Sequence, residues 1–218
     1  MQLGANQKLL FIGDSVTDAG RQRPDGEGLF DALGKGYPAL VDALLEAAYP
    51  ALAVRVVNQG ASGNTVRDLE ARWNTDVLAH RPDWLCVCIG INDVWRQFDS
   101  PRRPETAVPL AEYRETLHRL CRDTRPALAG GLILMTPFYV ESNRGDAMRS
   151  RMDEYGAAVR GVADETDALF VDTQAAFDAA LLHRHSAALA WDRVHPNLAG
   201  HMILARAFLH SVGFAWTD

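Results

Sequence analysis

The sequence predicts a doubly wound α/β fold, a three-layer α/β/α sandwich around a five-stranded parallel sheet. Three observations lead there. Five short apolar runs recur along the chain, rich in Val, Ile, Leu or Phe, as strands buried on both faces of a parallel sheet are. Longer helix-like segments separate them. Parallel neighbours in turn require crossover connections, which are nearly always right-handed.

The elements follow in order. Residues 8–13 (Lys-Leu-Leu-Phe-Ile-Gly) form the first strand candidate, and 53–58, 84–90, 131–136 and 168–172 the other four. The helix candidates are 36–48, 66–78, 110–125, 148–165 and 198–212. Pro50 and Pro126 stop the first and third of these, and Gly130-Gly131 leads into the fourth strand. Asn64 or Thr65 is a candidate N-cap for the helix carrying Arg67, Leu69 and Trp73, and Thr173 for a short helix through Phe177 and Leu181. Residues 21–36, rich in Gly and charge, and 100–109, with three prolines, read as surface loops. Met135 and Met152 read as core filler.

The chain has 218 residues, which suits one domain over 1–218 with a sizeable core. Hydrophobic residues make up 48% and charged residues 23%, ordinary for a folded soluble protein. A formal net charge of −6 advertises no basic surface for nucleic acid or anionic membrane. No apolar segment is long enough to span a bilayer. Cys86, Cys88 and Cys121 cannot all pair, and the first two fall on one face of a strand. Buried thiols in a reducing compartment are expected. Residues 1–7 lack the basic and apolar segments of a secretory signal, so the expected location is cytoplasmic.

Polar groups gather where such a sheet binds ligands, outside the carboxyl ends of the strands at the point where strand order reverses. Asp14-Ser15 follows the first strand, Asn58-Gln59-Gly60 the second and Gly90-Ile91-Asn92-Asp93 the third. His195 arrives from elsewhere, in Trp191-Asp192-Arg193-Val194-His195-Pro196-Asn197, just before the last helix. A hydroxyl is a weak nucleophile at neutral pH and needs an adjacent base. Imidazole serves, and a carboxylate on its other nitrogen fixes the tautomer and steadies the imidazolium that forms. Ser15, His195 and Asp192 are the three groups. Taken singly, each position has a plainer reading: a helix cap for Ser15, turns for Asp192 and Asn92, a positive-φ turn for Gly60. His183 and His185 read as surface residues, lacking a third ligand for a metal.

Gly13-Asp14-Ser15, Gly60, Gly90-Ile91-Asn92-Asp93 and Asp192-x-x-His195 together resemble the four blocks of the SGNH (GDSL-type) hydrolase family, in the family's order. The stretches around Ser15 and from Gly90 to Gln97 are most similar to one branch, the bacterial intracellular acetylxylan esterases. The resemblance implies the flavodoxin-like SGNH hydrolase fold and an esterase that removes acetyl groups from xylo-oligosaccharides through an acyl-enzyme. It implies Ser15 as nucleophile, His195 as general base and then acid, and Asp192 as an orienting carboxylate whose loss hurts less than that of His195. The oxyanion would rest on the Ser15 and Gly60 N–H groups and the Asn92 amide. No metal or cofactor is implied.

Asp14 and Asp93 are expected to support the loops; Asp14, Trp95, Tyr139 and Trp191 are the candidates for touching substrate. A homo-oligomer, up to a ring, is implied, with Phe214-Ala215-Trp216 as a natural contact. Two other readings stay open. One is a lysophospholipase- or thioesterase-type hydrolase with a long acyl groove. The other is a non-catalytic sugar-binding module, against which stands the absence of a Gly-x-Gly-x-x-Gly turn.

Overall fold

The computed structural model describes residues 1–216. In chain order it contains β1 (Lys8–Gly13), α1 (Ser15–Asp18), α2 (Tyr37–Ala48), β2 (Arg55–Gly60), α3 (Val66–Asp76), β3 (Trp84–Cys88) and α4 (Ile91–Asp99). Then come α5 (Leu110–Thr124), β4 (Gly131–Met135), α6 (Ala147–Thr166), β5 (Leu169–Val171), α7 (Thr173–Leu181) and α8 (Leu198–Ser211). The five strands are all parallel and lie in the order β2-β1-β3-β4-β5. Strand order reverses between β1 and β3, so their carboxyl ends open the crevice in which α/β sheets bind ligands.

Alternation along the central strands builds two cores. Leu9 and Phe11 of β1, with Cys86 and Cys88 of β3, face α2 and α8. Leu10 and Ile12, with Leu85 and Val87, face α3, α5 and α6. Phe11 is fully buried, edge-on to Tyr37 at 5.4 Å between ring centroids and 5.0 Å from the ring of Phe208. A side chain of that size contributes roughly 2–3 kcal/mol on burial. The cysteines are buried and unpaired, Cys121 lying in the second core. Met135 and Met152 occupy one core each.

The five strands and five long helices fall where the apolar runs predict them, with shifted ends. β2 starts later than the expected 53–58 because Pro50–Leu52 forms a 3₁₀ turn and Ala53 sits at φ 46. α3 begins after Thr65, whose N–H and hydroxyl both donate to the Asp68 carboxylate at 2.8 Å. α7 is capped by Asp172 rather than Thr173, the carboxylate accepting from the Ala175 N–H. α1 and α4 were not expected. Residues after Gly90 read as a turn, yet Gly90 at φ 128 caps α4 and accepts from the Val94 N–H.

Residues 21–36 are also not a free surface loop. Gly26 pairs with Asn58 in an antiparallel bridge, and Arg21, Ala32 and Leu33 are buried. Residues 22–25 and 28–31 stay exposed, Leu29 and Phe30 most of all at 79% and 90%. Among the described residues no helix is long and apolar enough to cross a membrane.

Candidate active site

β1 ends on Gly13, and the chain turns at once into the four-residue α1. Asp14 caps that helix by accepting from the Val16 N–H at 3.0 Å, which fixes Ser15 as its first residue. The turn leaves no room for side chains. A Cβ on Gly13 would fall 2.2 Å from the Cys88 carbonyl, and one on Gly60 would fall 2.2 Å from the Asp18 nitrogen. Both positions are glycine because β1, β2 and the α1 backbone touch there.

Ser15 Oγ lies 2.9 Å from His195 Nε2 across 180 residues of sequence. His195 Nδ1 lies 2.5 Å from Asp192 Oδ2. The other oxygen of Asp192 accepts from the Val194 and His195 N–H groups at 3.0 and 2.7 Å, so the carboxylate shapes its own loop. Partial burial works against its charge, but the bonds from His195 and Val194 prevail and hold Asp192 below the usual carboxylate range. Arg193, at φ 63, anchors the loop outward: its carbonyl accepts from the Val140 N–H and its guanidinium pairs with Glu141 at 2.7 Å. The Trp95 ring stands edge-on to the imidazole at 5.8 Å between centroids.

His201 is a different kind of histidine. It is buried, its Nδ1 accepts from the Tyr37 N–H at 3.2 Å, and burial with the nearby His195 pushes it down to about 4. It stays neutral at working pH and braces α2 against α8.

Two buried carboxyls sit beneath the site. Burial raises Asp14 to about 7 against the pull of the Val16 N–H, His195 and Arg72. Burial likewise raises Asp93 to about 7, with Asp14 adding to the effect. Asp93 Oδ1 caps α3 by accepting from the Val66 N–H at 3.0 Å, while Oδ2 is buried without a partner among the described residues.

Three site expectations need correction. Asp14 is 2% exposed and committed to its cap, so it offers no surface to substrate. Asn92 does not close β3 as a turn; it lies in the first turn of α4, buried, with its amide donating to the Asn64 carbonyl at 2.9 Å. One hydrogen of that amide is left over. Gly60 is the third case, because its N–H donates to Asn58 Oδ1 at 2.8 Å and is not available to an oxyanion.

The turn after β2 shows which donor remains. Ala61 N–H goes to the Gly13 carbonyl, Ser62 N–H to Asp18 Oδ2 and Asn64 N–H to the Ala61 carbonyl. Among the described residues the Gly63 N–H has no acceptor, and neither does that of Ser15. Gly63 is exposed at φ +83 with open space around its Cβ position. Its signal in the sequence is Ser62-Gly63-Asn64, a turn tripeptide three residues after Gly60. Trp191 is 88% exposed beside Asp192, and Tyr139 is half-buried, its N–H held by Gln174 at 2.8 Å. The arrangement can move a proton from Ser15 through His195.

The chain is similar to known hydrolases along its length. The model of the GDSL-like Lipase/Acylhydrolase family matches residues 11–203. An acetylxylan esterase from Geobacillus stearothermophilus is 61% identical over 99% of this chain and 98% of its own length. Among solved structures, a catalytic mutant of the acetylxylan esterase Axe2 from that organism superposes with a TM-score of 0.98 at 60% identity, covering 100% of this chain and 99% of the other. LAE5, an alpha/beta hydrolase enzyme from the metagenome of Lake Arreo, Spain, superposes with a TM-score of 0.97 at 53% identity over the whole of both chains.

Proposed function

The chain belongs to the GDSL-like lipase/acylhydrolase family, and on that premise we propose a serine esterase that removes acetyl groups from acetylated xylo-oligosaccharides. The observation that carries it is the Ser15–His195–Asp192 relay, with contacts of 2.9 and 2.5 Å, in a chain 61% identical over nearly its whole length to an acetylxylan esterase. The unit is one domain over residues 1–218.

In this reading His195 Nε2 takes the Ser15 proton as Oγ attacks the acetyl carbon. The carbonyl oxygen becomes an oxyanion held by the Ser15 and Gly63 N–H groups and the spare Asn92 amide hydrogen, each worth roughly 3 kcal/mol in such sites. The carbon–oxygen bond to the sugar breaks, and the sugar oxygen leaves with the proton from His195. Water then attacks the acetyl-serine by the same route and releases acetate. Asp192 accepts the Nδ1 hydrogen throughout and balances the imidazolium. Trp95, Trp191 and Tyr139 are the aromatic candidates for contact with a sugar ring.

The buried, unpaired cysteines support a reducing, cytoplasmic setting. Exposed apolar side chains support assembly with further copies of the chain: Leu29, Phe30, Trp191 and Leu198 are 66–90% exposed. The C-terminal aromatic end contributes less than expected to that surface. Phe214 is buried against Tyr49 and Trp216, and of the two aromatics Trp216 is the open one, at 44%.

The deciding experiment measures acetate release from acetylated xylo-oligosaccharides beside aryl acetate and aryl octanoate hydrolysis. Rapid acetate release, abolished by Ser15→Ala, is expected. Faster turnover of the octanoate with no acetate released from the oligosaccharide would favour the lysophospholipase or thioesterase reading. A fully active Ser15→Ala variant would remove the nucleophile.

A further inference from the structure

We propose that Arg72 is the positioning residue of the oxyanion hole, holding its three donors in register from behind. The proposal rests on the assignment of Ser15, Gly63 and Asn92 as those donors. Arg72 lies on α3, and its guanidinium reaches three oxygens on two segments, the turn after β1 and the turn after β2. Its Nη2 donates to the Gly13 carbonyl at 2.9 Å, Nη1 to the Gln59 carbonyl at 2.7 Å and Nε to Asn64 Oδ1 at 2.6 Å.

The acceptors flank the segments that carry the donors. Gly13 leads directly into Asp14-Ser15. Gln59 begins the turn whose free N–H belongs to Gly63, and Asn64 ends it. The Asn64 carbonyl is in turn the acceptor that fixes the Asn92 amide at 2.9 Å. One planar cation therefore ties the nucleophile turn, the Gly63 turn and, through Asn64, the side chain of α4.

The position calls for arginine. Gly13 and Gln59 lie at the ends of β1 and β2, one register step apart, Gly13 opposite Gly60 and Gln59 opposite Ile12, and the Gly13 carbonyl accepts from Arg72 as well as from the Ala61 N–H. A guanidinium presents its N–H groups in a rigid fork, whereas a lysine ammonium at the end of a flexible stem cannot meet three fixed oxygens together. Asp76, one helical turn on, receives Nη1 at 2.8 Å and steadies the fork from its own helix. Arg72 is only 17% exposed.

Misplacing donors by a fraction of an ångström should slow attack without weakening substrate binding. The test compares an aryl acetate with its thiono analogue, in which sulfur replaces the carbonyl oxygen and accepts hydrogen bonds poorly. Arg72→Gln is expected to lower kcat/KM for the acetate about 10–100-fold, mainly through kcat. It should lower the rate on the thiono ester far less, so the oxygen-to-sulfur rate ratio collapses. Arg72→Lys should restore part of the ratio.

Should Arg72→Gln fail to fold, Asn64→Ala cuts the Nε link alone and should narrow the ratio in the same direction. Equal losses on both esters, or a folded variant with the native ratio, would overturn the proposal. Asn92→Ala is measured alongside. If it leaves the ratio unchanged, the oxyanion assignment itself fails; if it collapses the ratio and Arg72→Gln does not, only the role of Arg72 fails.

Discussion

Asp192 and His195 are half-open to water, with side chains 36% and 45% exposed. That exposure sets how much each contributes. Without Asp192, water can accept the Nδ1 hydrogen, though the loop loses the two N–H bonds that Asp192 Oδ1 gathers. Without His195 nothing takes the Ser15 proton. His195→Ala should therefore cost roughly 10⁴-fold in kcat and Asp192→Ala about 10²-fold, read on an aryl acetate. Equal losses would contradict that ranking. Asp192 is held below its ordinary range, so its share of stability is present above the unfolded carboxylate pKa and is lost as pH falls through the depressed folded value. These three residues could be read from the sequence because each sits in a short window with its own local signature. Gly63 could not. Two glycines three apart fit the same block, and it takes the fold to tell them apart, through the hydrogen bond from Gly60 to Asn58 and the open space around Gly63.

At the level of elements the two glycines separate by experiment. A methyl on Gly60 would overlap the backbone of α1, 2.2 Å from the Asp18 nitrogen and 2.6 Å from the Thr17 carbonyl carbon. Gly60→Ala should unfold the protein more easily by about 2–4 kcal/mol. Gly63→Ala meets open space and pays only the left-handed backbone penalty of roughly 1 kcal/mol, yet it should slow acetate release severalfold as the N–H shifts. Urea unfolding beside kcat separates the two outcomes. The reverse pattern would return the donor role to Gly60.

Asp93 joins α4 to the start of α3, and burial raises it to about 7. An acid with a raised folded pKa costs stability as pH climbs from its unfolded value near 4 to its folded one. Stability should thus decline between about pH 4 and 7. Asp93→Asn keeps an acceptor for Val66 and should flatten that decline, by on the order of 1–4 kcal/mol. An unchanged pH profile of urea unfolding would exclude the ionisation. Apolar runs made the strands legible beforehand. α4 was not, because its first turn is spent on polar residues that serve the site and read as a loop.

For the whole molecule, alternation and crossover handedness predict the sandwich, but surface residues carry no such constraint, so assembly was the least legible feature. The sequence pointed to the aromatic C-terminus; the folded chain uses Phe214 for its own core. What stays open lies elsewhere. The tip of the 21–36 segment holds Phe30 and Asp31 at φ 58 and 61, a conformation costing roughly 1–2 kcal/mol per residue, while Leu29 and Phe30 face water. Strain spent on presenting apolar side chains to solvent makes sense where another surface covers them. Trp191 and Leu198 flank the His195 loop and are equally bare. A net charge of −6 opposes assembly only weakly at physiological salt, where charges farther apart than about 8 Å are screened. Light scattering should therefore give a multiple of the 24.0 kDa chain mass. Replacing Phe30 and Trp191 together by serine should shift that mass toward one chain while thermal stability of the chain holds. A native protein that scatters as a single chain at every concentration would mean these residues serve the substrate alone.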